Sequence, residues 1–170
     1  PRLTHITGDS ETMNHIDHVN LIRDGVPAGG IWADLGSGRG AFTLALAECL
    51  GKESEIYSVD IDQRGLEVQK TRMTAEFPDN AVTYMQADFT RPLKLPALDG
   101  IIMANSLHFI REKKPVLERI RDLLNPDGRL VIVEYDTDKP TSYVPYPFSY
   151  ETWEDLATNC GFVDTKLLAT

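Results

Sequence analysis

Two cysteines in 170 residues are too few for a disulfide scaffold. Cys49 and Cys160 also lie far apart, with no histidines at metal-ligand spacing, so reduced thiols and no metal site are expected. No apolar run is long enough to cross a bilayer and no charged-then-apolar leader is present, so a soluble cytoplasmic protein without a membrane partner is expected. Basic residues are scarce: 17 Lys and Arg stand against 26 Asp and Glu, a formal net charge of -9. That balance argues against a nucleic-acid partner, because polyanions are usually gripped by clustered cations. Repeats and low-complexity tracts are missing too. What is present is a hydrophobic fraction of 42%, enough for one domain with its own core.

Apolar runs of strand length alternate with longer segments of helical period, the pattern of βαβ units and a largely parallel sheet. Strands are expected at Ile31 to Leu35, Glu55 to Ile61, Ala81 to Ala87, Leu98 to Ala104 and Arg129 to Tyr135, with a last one at Phe162 to Leu168. Helices are expected from Ala41 to Leu50, where Gly51 stops the first, and from a cap at Asp62 to about Phe77, before the turn Pro78-Asp79-Asn80. Two more span Pro115 to Leu124, ahead of the turn Asn125-Pro126-Asp127-Gly128, and Tyr150 to Cys160. At the other end Met13, Ile16 and Val19 share helical spacing within Ser10 to Asp24. The chain therefore divides into a helical cap over 1–28 and a core over 29–170 of a single α/β domain.

The first strand runs into ADLGSGRG, Ala33 to Gly40, whose Gly36, Gly38 and Gly40 alternate. Glycine is favoured where a chain turns tightly or meets a ligand with bare backbone. Strand, glycine turn, helix and a second strand ending in an acid is the arrangement that binds a nucleoside at the carboxyl edge of an open sheet. Gly36, Gly38 and Ala41 also satisfy the G-x-G-x-x-A form of nicotinamide loops. The loop alone leaves both cofactor classes open.

The surrounding segments carry more. Asp34 to Gly40, DLGSGRG, resembles the first motif of the class I S-adenosylmethionine-dependent methyltransferases, particularly their small quinone-biosynthesis type. Asp60, closing IYSVD, matches the family's ribose-binding acid, and QADF (Gln86 to Phe89) resembles its adenine-receiving segment. LNPDGRL (Leu124 to Leu130) is close to the family's turn into the fifth strand. MANSLHF (Met103 to Phe109) and NCGF (Asn159 to Phe162) complete the order. The resemblance implies a Rossmann-like, doubly wound, mostly parallel sheet with helices on both faces. It also implies S-adenosyl-L-methionine as cofactor, S-adenosyl-L-homocysteine as its product, and a small-molecule methyl acceptor.

The implied cofactor residues are Asp34, Gly36, Ser37, Gly38, Gly40, Asp60, Ile61, Asp88, Phe89 and Asn105. Physical reasons accompany them: a carboxylate accepts both hydroxyls of a vicinal diol, which suits Asp60 to a ribose, and Asp88 is placed to accept from an amino group. Asp34 would lie near a cationic ammonium, and Ile61 would pack on a flat base. Methyl transfer from a sulfonium needs orientation, exclusion of water and, for a protic acceptor, a base. His108 and Tyr135 are the catalytic candidates, beside Glu134 and Asp136 at the end of the fifth strand. YVPYPFSY, Tyr143 to Tyr150, offers aromatic surface for a flat acceptor, with Tyr143, Tyr146 and Phe148 as substrate candidates. His15 and His18 are surface histidines that approach the substrate only if the first helix covers the mouth.

The pattern departs from the family at Arg39, expected to be exposed. The sheet of these enzymes usually closes with a sixth strand and an antiparallel seventh; here either the seventh is absent and the last strand docks beside the fifth, or an edge is left through which a homo-oligomer can form. No D/N-P-P-Y/F tetrapeptide is present, and two distant cysteines do not suit arsenic chemistry. Two other readings stay open: a methyltransferase-like module that binds cofactor without catalysis, and a nicotinamide oxidoreductase.

Overall fold

A computed structural model describes residues 13–169; the rest of the helical cap, and the expected helix start at Ser10, lie outside the described residues. Helix α1 (His15–Ile22) begins with a reciprocal cap in which Asn14 accepts from the Asp17 amide and Asp17 accepts from the Asn14 amide, satisfying two otherwise orphaned donors. Its buried residues are Val19 and Ile22, followed by Val26, whereas Met13 and Ile16 are exposed. The expected Met13-Ile16-Val19 stripe is therefore not the packing face.

The core follows as β1 (Gly30–Leu35), α2 (Ala41–Leu50), β2 (Ser54–Asp60), α3 (Gln63–Glu76), β3 (Ala81–Gln86) and β4 (Leu98–Ala104). A short 3-10 turn (Leu107–Phe109), α4 (Lys113–Arg121), β5 (Leu124–Val133) and α5 (Tyr150–Asn159) complete it. Asp62 caps α3 by accepting from the Arg64 amide, as its position before the helix suggested.

The five strands are all parallel in the order β3-β2-β1-β4-β5, the doubly wound arrangement expected. The chain builds outward from β1 to β3, then returns to the other side of β1 with β4. Ligand crevices in open α/β sheets form where such a reversal occurs, beyond the carboxyl ends of the strands. Alternation along the central strands separates two cores. Trp32 and Ile102 face α1, α2 and Met73 of α3. Ala33, Leu35, Ile101 and Met103 face α4 and α5.

Two elements differ from expectation. β5 starts at Leu124, and the Asn125 to Gly128 turn is absorbed as a bulge: Leu98 pairs with Leu124, and Gly100 next with Arg129. Asn125 holds the bulge by donating to Asp99 Oδ1 at 2.8 Å. No strand forms over 162–168, because Gly161 (φ 83°) and Asp164 (φ 56°) take left-handed conformations that break an extended run. Among the described residues β3 and β5 are thus the sheet edges, with one isolated bridge, Asp136 to Phe148, beyond β5. Cys160 is buried, Cys49 half-buried, and both are free thiols. No helix among the described residues is long and apolar enough to cross a membrane.

Candidate cofactor and acceptor site

The glycine loop leaves β1 beside a carboxylate closed off from water. Asp34 is 1% exposed and accepts from Thr43 Oγ1 of α2 at 2.7 Å. Burial pushes its carboxyl up to about 7, the Thr43 hydrogen bond opposing this and the nearby Asp60 charge adding to it. Gly36, Gly38 and Gly40 all have positive φ, but for different neighbours. A Cβ on Gly36 would sit 2.5 Å from Ser106 Cβ, and one on Gly40 would sit 2.4 Å from Gln69 Cβ. A Cβ on Gly38 would meet nothing within 4 Å. Only Gly38 is bare toward open space.

Beneath the loop lies a polar cluster. Ser58 Oγ is 2.8 Å from both Ser37 Oγ and Gln69 Oε1, and Gln69 Nε2 donates to Ser37 Oγ and to the Gly38 carbonyl. Ser37, Ser58 and Gln69 are all buried, so the cluster is satisfied internally and fixes the loop's height over the sheet. Gly65 of α3 lets the helix approach, since a Cβ there would lie 2.6 Å from the Gly38 carbonyl oxygen. Arg39 is exposed, as expected.

At the end of β2, Asp60 Oδ2 accepts from the Gly38 amide at 2.7 Å and Oδ1 from the Asp62 amide at 2.8 Å. A carboxylate has about four acceptor positions, which leaves room for a diol. The adjacent Ile61 is 69% exposed, an isolated apolar surface at the cleft. Beyond β3, Asp88 Oδ1 takes both the hydroxyl and the amide of Thr90; these bonds hold its carboxyl below the usual range and leave Oδ2 free of them. Phe89 lies against Gly36.

Across the cleft, the end of β4 is strained at Asn105 (φ 50°), whose amide donates to Val133. Ser106 reaches back to the Leu35 carbonyl. Glu134, just past β5, accepts on Oε1 from the amides of Ser106, Leu107 and His108 at 3.0, 2.8 and 3.3 Å. Its other oxygen lies 2.5 Å from His108 Nδ1. Two exposed aromatics lie near the imidazole, with ring centroids 4.2 Å away for Phe109 and 6.1 Å for Tyr135.

The aromatic segment is tied to this region by the Tyr146 amide donating to the His108 carbonyl. Lys113 Nζ adds bonds to the carbonyls of Ile110 and Tyr146, and burial lowers its pKa against the opposing pull of Glu134. Tyr143 and Tyr146 are exposed, but Phe148 is 5% exposed and packs beside Trp153 in the α4/α5 core. Phe148 is therefore a core residue and not a wall of the cleft: its ring has little surface left for an acceptor to touch.

His15 and His18 also serve packing. His15 Nε2 is 2.5 Å from Glu48 Oε2, and His18 meets Phe42 edge-on at 4.8 Å. Two surface cavities are formed, about 460 Å³ over Gln63, Leu66, Glu67, Lys70 and Tyr84, and about 330 Å³ by Met13, His15, His18, Arg72 and Ala41, the last beside the glycine loop. Sequence reasoning missed Gln69, Ser58 and Thr43, whose helix or strand positions carry no local signal of the loop they support.

A parallel sheet with this order, a glycine loop after β1 and an acid at the end of β2 form the arrangement that open α/β folds use to bind nucleosides. The family model described as a methyltransferase domain matches residues 29–165. The chain belongs to that methyltransferase family, for which the sequence resemblance implies S-adenosylmethionine as cofactor. Similar proteins include a ubiquinone/menaquinone biosynthesis C-methyltransferase, UbiE, from Azotobacter vinelandii, 28% identical over 133 residues and covering 74% of this chain and 52% of that protein. A UbiE from Wigglesworthia glossinidia brevipalpis is 30% identical over 103 residues, 60% of this chain and 41% of that one. The chain spans about half the length of the curated relatives it matches. Among solved structures, a SAM-dependent methyltransferase from Aquifex aeolicus aligns with a TM-score of 0.69 at 19% identity, covering 85% of this chain and 79% of that one. Coclaurine N-methyltransferase bound to N-methylheliamine and SAH aligns with a TM-score of 0.63 at 19% identity, over 79% and 43%. Likenesses at this identity establish the fold.

The residues fit the cofactor on their own observations. Open space at Gly38 admits a ligand against bare backbone, Asp60 keeps acceptor capacity for a ribose, and Ile61 offers an apolar face beside it.

Proposed function

We propose that this chain transfers a methyl group from S-adenosylmethionine to a small-molecule acceptor in the crevice between the carboxyl ends of β1 and β4. The observation that carries the reading is Gly38, tied to Asp60 and bare toward open space on one wall, with His108, Tyr135 and Tyr146 gathered on the other. Bound S-adenosylmethionine supplies an electrophilic methyl carbon on a sulfonium. Asp60 accepts from the ribose, Asp88 from the adenine amino group, and Ile61 and Phe89 cover the base. Buried Asp34, bonded by Thr43, supports the loop on the side of the ammonium, while Ser37, Gly40 and Asn105 shape the walls. Tyr135, Tyr143 and Tyr146 present aromatic surface suited to a flat acceptor. The net charge of -9 favours a small molecule over a nucleic acid, and the β3 and β5 edges are where a second copy would pair.

Differential thermal stabilisation tests the cofactor. S-adenosylhomocysteine is expected to raise Tm and NAD to leave it unchanged; the opposite ranking overturns the reading. Turnover, followed as S-adenosylhomocysteine release, is expected with a member of a panel of phenols, amines, thiols and quinone precursors. Quinone precursors come first because the relatives are named for quinone methylation. Tight cofactor binding with no turnover across the panel would favour a binding module instead.

A further inference from the structure

We propose that Glu134 is a positioning residue that holds His108 as the Nδ1–H tautomer, so that Nε2 of His108 is the base that takes a proton from the acceptor. The inference rests on the methyl-transfer reading above and narrows its acceptors to groups that must lose a proton, such as phenols, acidic carbons or protonated amines.

Glu134 is almost enclosed, with 5% of its side chain exposed, and His108 with 4%. A carboxylate so placed must be satisfied by donors. Ser106, Leu107 and His108 supply amides to Oε1, which leaves Oε2 to the ring at 2.5 Å from Nδ1. A carboxylate facing Nδ1 accepts from it, so Nδ1 is the nitrogen that carries a proton, and the lone pair of the uncharged ring then lies at Nε2. The two ring nitrogens point in divergent directions, and Nε2 faces away from Glu134. No described residue bonds it. Among the described residues the enclosed polar atoms without a partner are Trp32 Nε1 and Arg119 Nε, and Nε2 is not one of them. Its lone pair is thus left for the acceptor's proton, with the exposed rings of Phe109 and Tyr135 near the imidazole. Among the described residues, Lys113 and Tyr135 are charged or titratable neighbours of the pair.

The same carboxylate fixes the backbone. By capping the turn that follows β4, Glu134 sets the position of His108 relative to Asn105 and the glycine loop, since Ser106 also bonds the Leu35 carbonyl. In the transfer step the acceptor's proton passes to Nε2 and its electron pair forms the bond to the methyl carbon. The carbon–sulfur bond breaks with its pair remaining on sulfur. The imidazolium left behind faces the Glu134 carboxylate and returns its proton to water.

Glu134→Gln separates positioning from capping. The amide oxygen still accepts from the backbone amides, but its NH2 group donates toward Nδ1, which must become an acceptor; the ring proton moves to Nε2. Nitrogen-15 spectra of the histidine rings in the cofactor-free protein are expected to show the Nδ1–H tautomer for His108 in the parent and the Nε2–H tautomer in Glu134→Gln, the signal being assigned with His108→Asn. With an accepted phenol, Glu134→Gln and His108→Asn are expected to lose about 10² to 10³-fold in kcat with little change in KM for S-adenosylmethionine. An Nε2–H tautomer in the parent overturns the proposal, as does parental kcat in either variant. Failure of S-adenosylhomocysteine to bind the parent would instead strike the methyl-transfer reading and leave the tautomer result standing.

Discussion

The Gly38 amide donates to Asp60 Oδ2 at 2.7 Å, so the acid that ends β2 holds the loop that leaves β1. From sequence, Asp60 reads as a carboxylate suited to a ribose. The structure gives it two backbone donors, Gly38 and Asp62. Asp60→Ala is therefore expected to affect both binding and fold. Affinity for S-adenosylhomocysteine should fall about tenfold to a few hundredfold. The ligand-free protein should also lose about 1 to 2 kcal/mol, discounted for partial exposure, a fall of about 2 to 8 °C in Tm. Calorimetric titration with apo melts checks both; an unchanged apo Tm would mean that the loop stands without Asp60.

Gly36 and Gly38 of the loop should respond differently to alanine. Gly36→Ala drives a Cβ into Ser106, and its melting temperature should drop even without ligand. Gly38→Ala meets open space and costs only the left-handed backbone, about 1 to 2 kcal/mol. Gly38→Val adds bulk where the cofactor backbone approaches and is expected to abolish S-adenosylhomocysteine binding while the protein stays folded. Undiminished binding by Gly38→Val would place the ligand elsewhere.

Asp34 makes stability depend on pH in an unusual direction for a carboxylate. Its carboxyl is pushed from 3.8 up to about 7, first by burial. Between those values the native chain binds one more proton than the unfolded chain, so this group's contribution falls as pH rises, by about 1.4 kcal/mol per unit. Below 3.8 and above about 7 it adds no slope. Asp34→Asn, which still accepts from Thr43, should flatten denaturation midpoints between pH 4 and 7 (about the window set by those values) and be more stable than the parent at higher pH. A parent whose slope survives the substitution refutes this.

Tyr146 and Phe148 separate surface from core within one segment. Phe148→Ala removes a ring that is 5% exposed and should cost about 3 to 5 kcal/mol of fold stability. Tyr146→Ala removes a 40% exposed ring, and should raise KM for the acceptor while leaving Tm and cofactor affinity near those of the parent. Equal loss of cofactor affinity in Tyr146→Ala would make the segment structural throughout.

Short-range signals explain what was readable. Apolar periodicity, Asp62 as a cap and the alternating glycines act over a few residues, so β1 to β4, α2, α3 and α5 lie where the sequence placed them within a residue or two. The parallel sheet followed from strand and helix alternation, and the site's edge followed from the loop. Beyond β5 the same signals misled: residues 162–168 have strand composition, but left-handed Asp164 and Gly161 break the run.

Which neighbour each residue meets was decided by the tertiary structure alone. Gly36 and Gly40 look like Gly38 in the sequence, yet Ser106 and Gln69 fill the space beside them, because α3 and the turn after β4 are packed there by the sheet order. Glu134 and His108 are 26 positions apart and meet because β4 and β5 run parallel and end at the same edge. Phe148, amid exposed tyrosines, turns inward where α4 and α5 leave an apolar space for it. Burial and partner depend on residues distant along the chain, and no local pattern carries them.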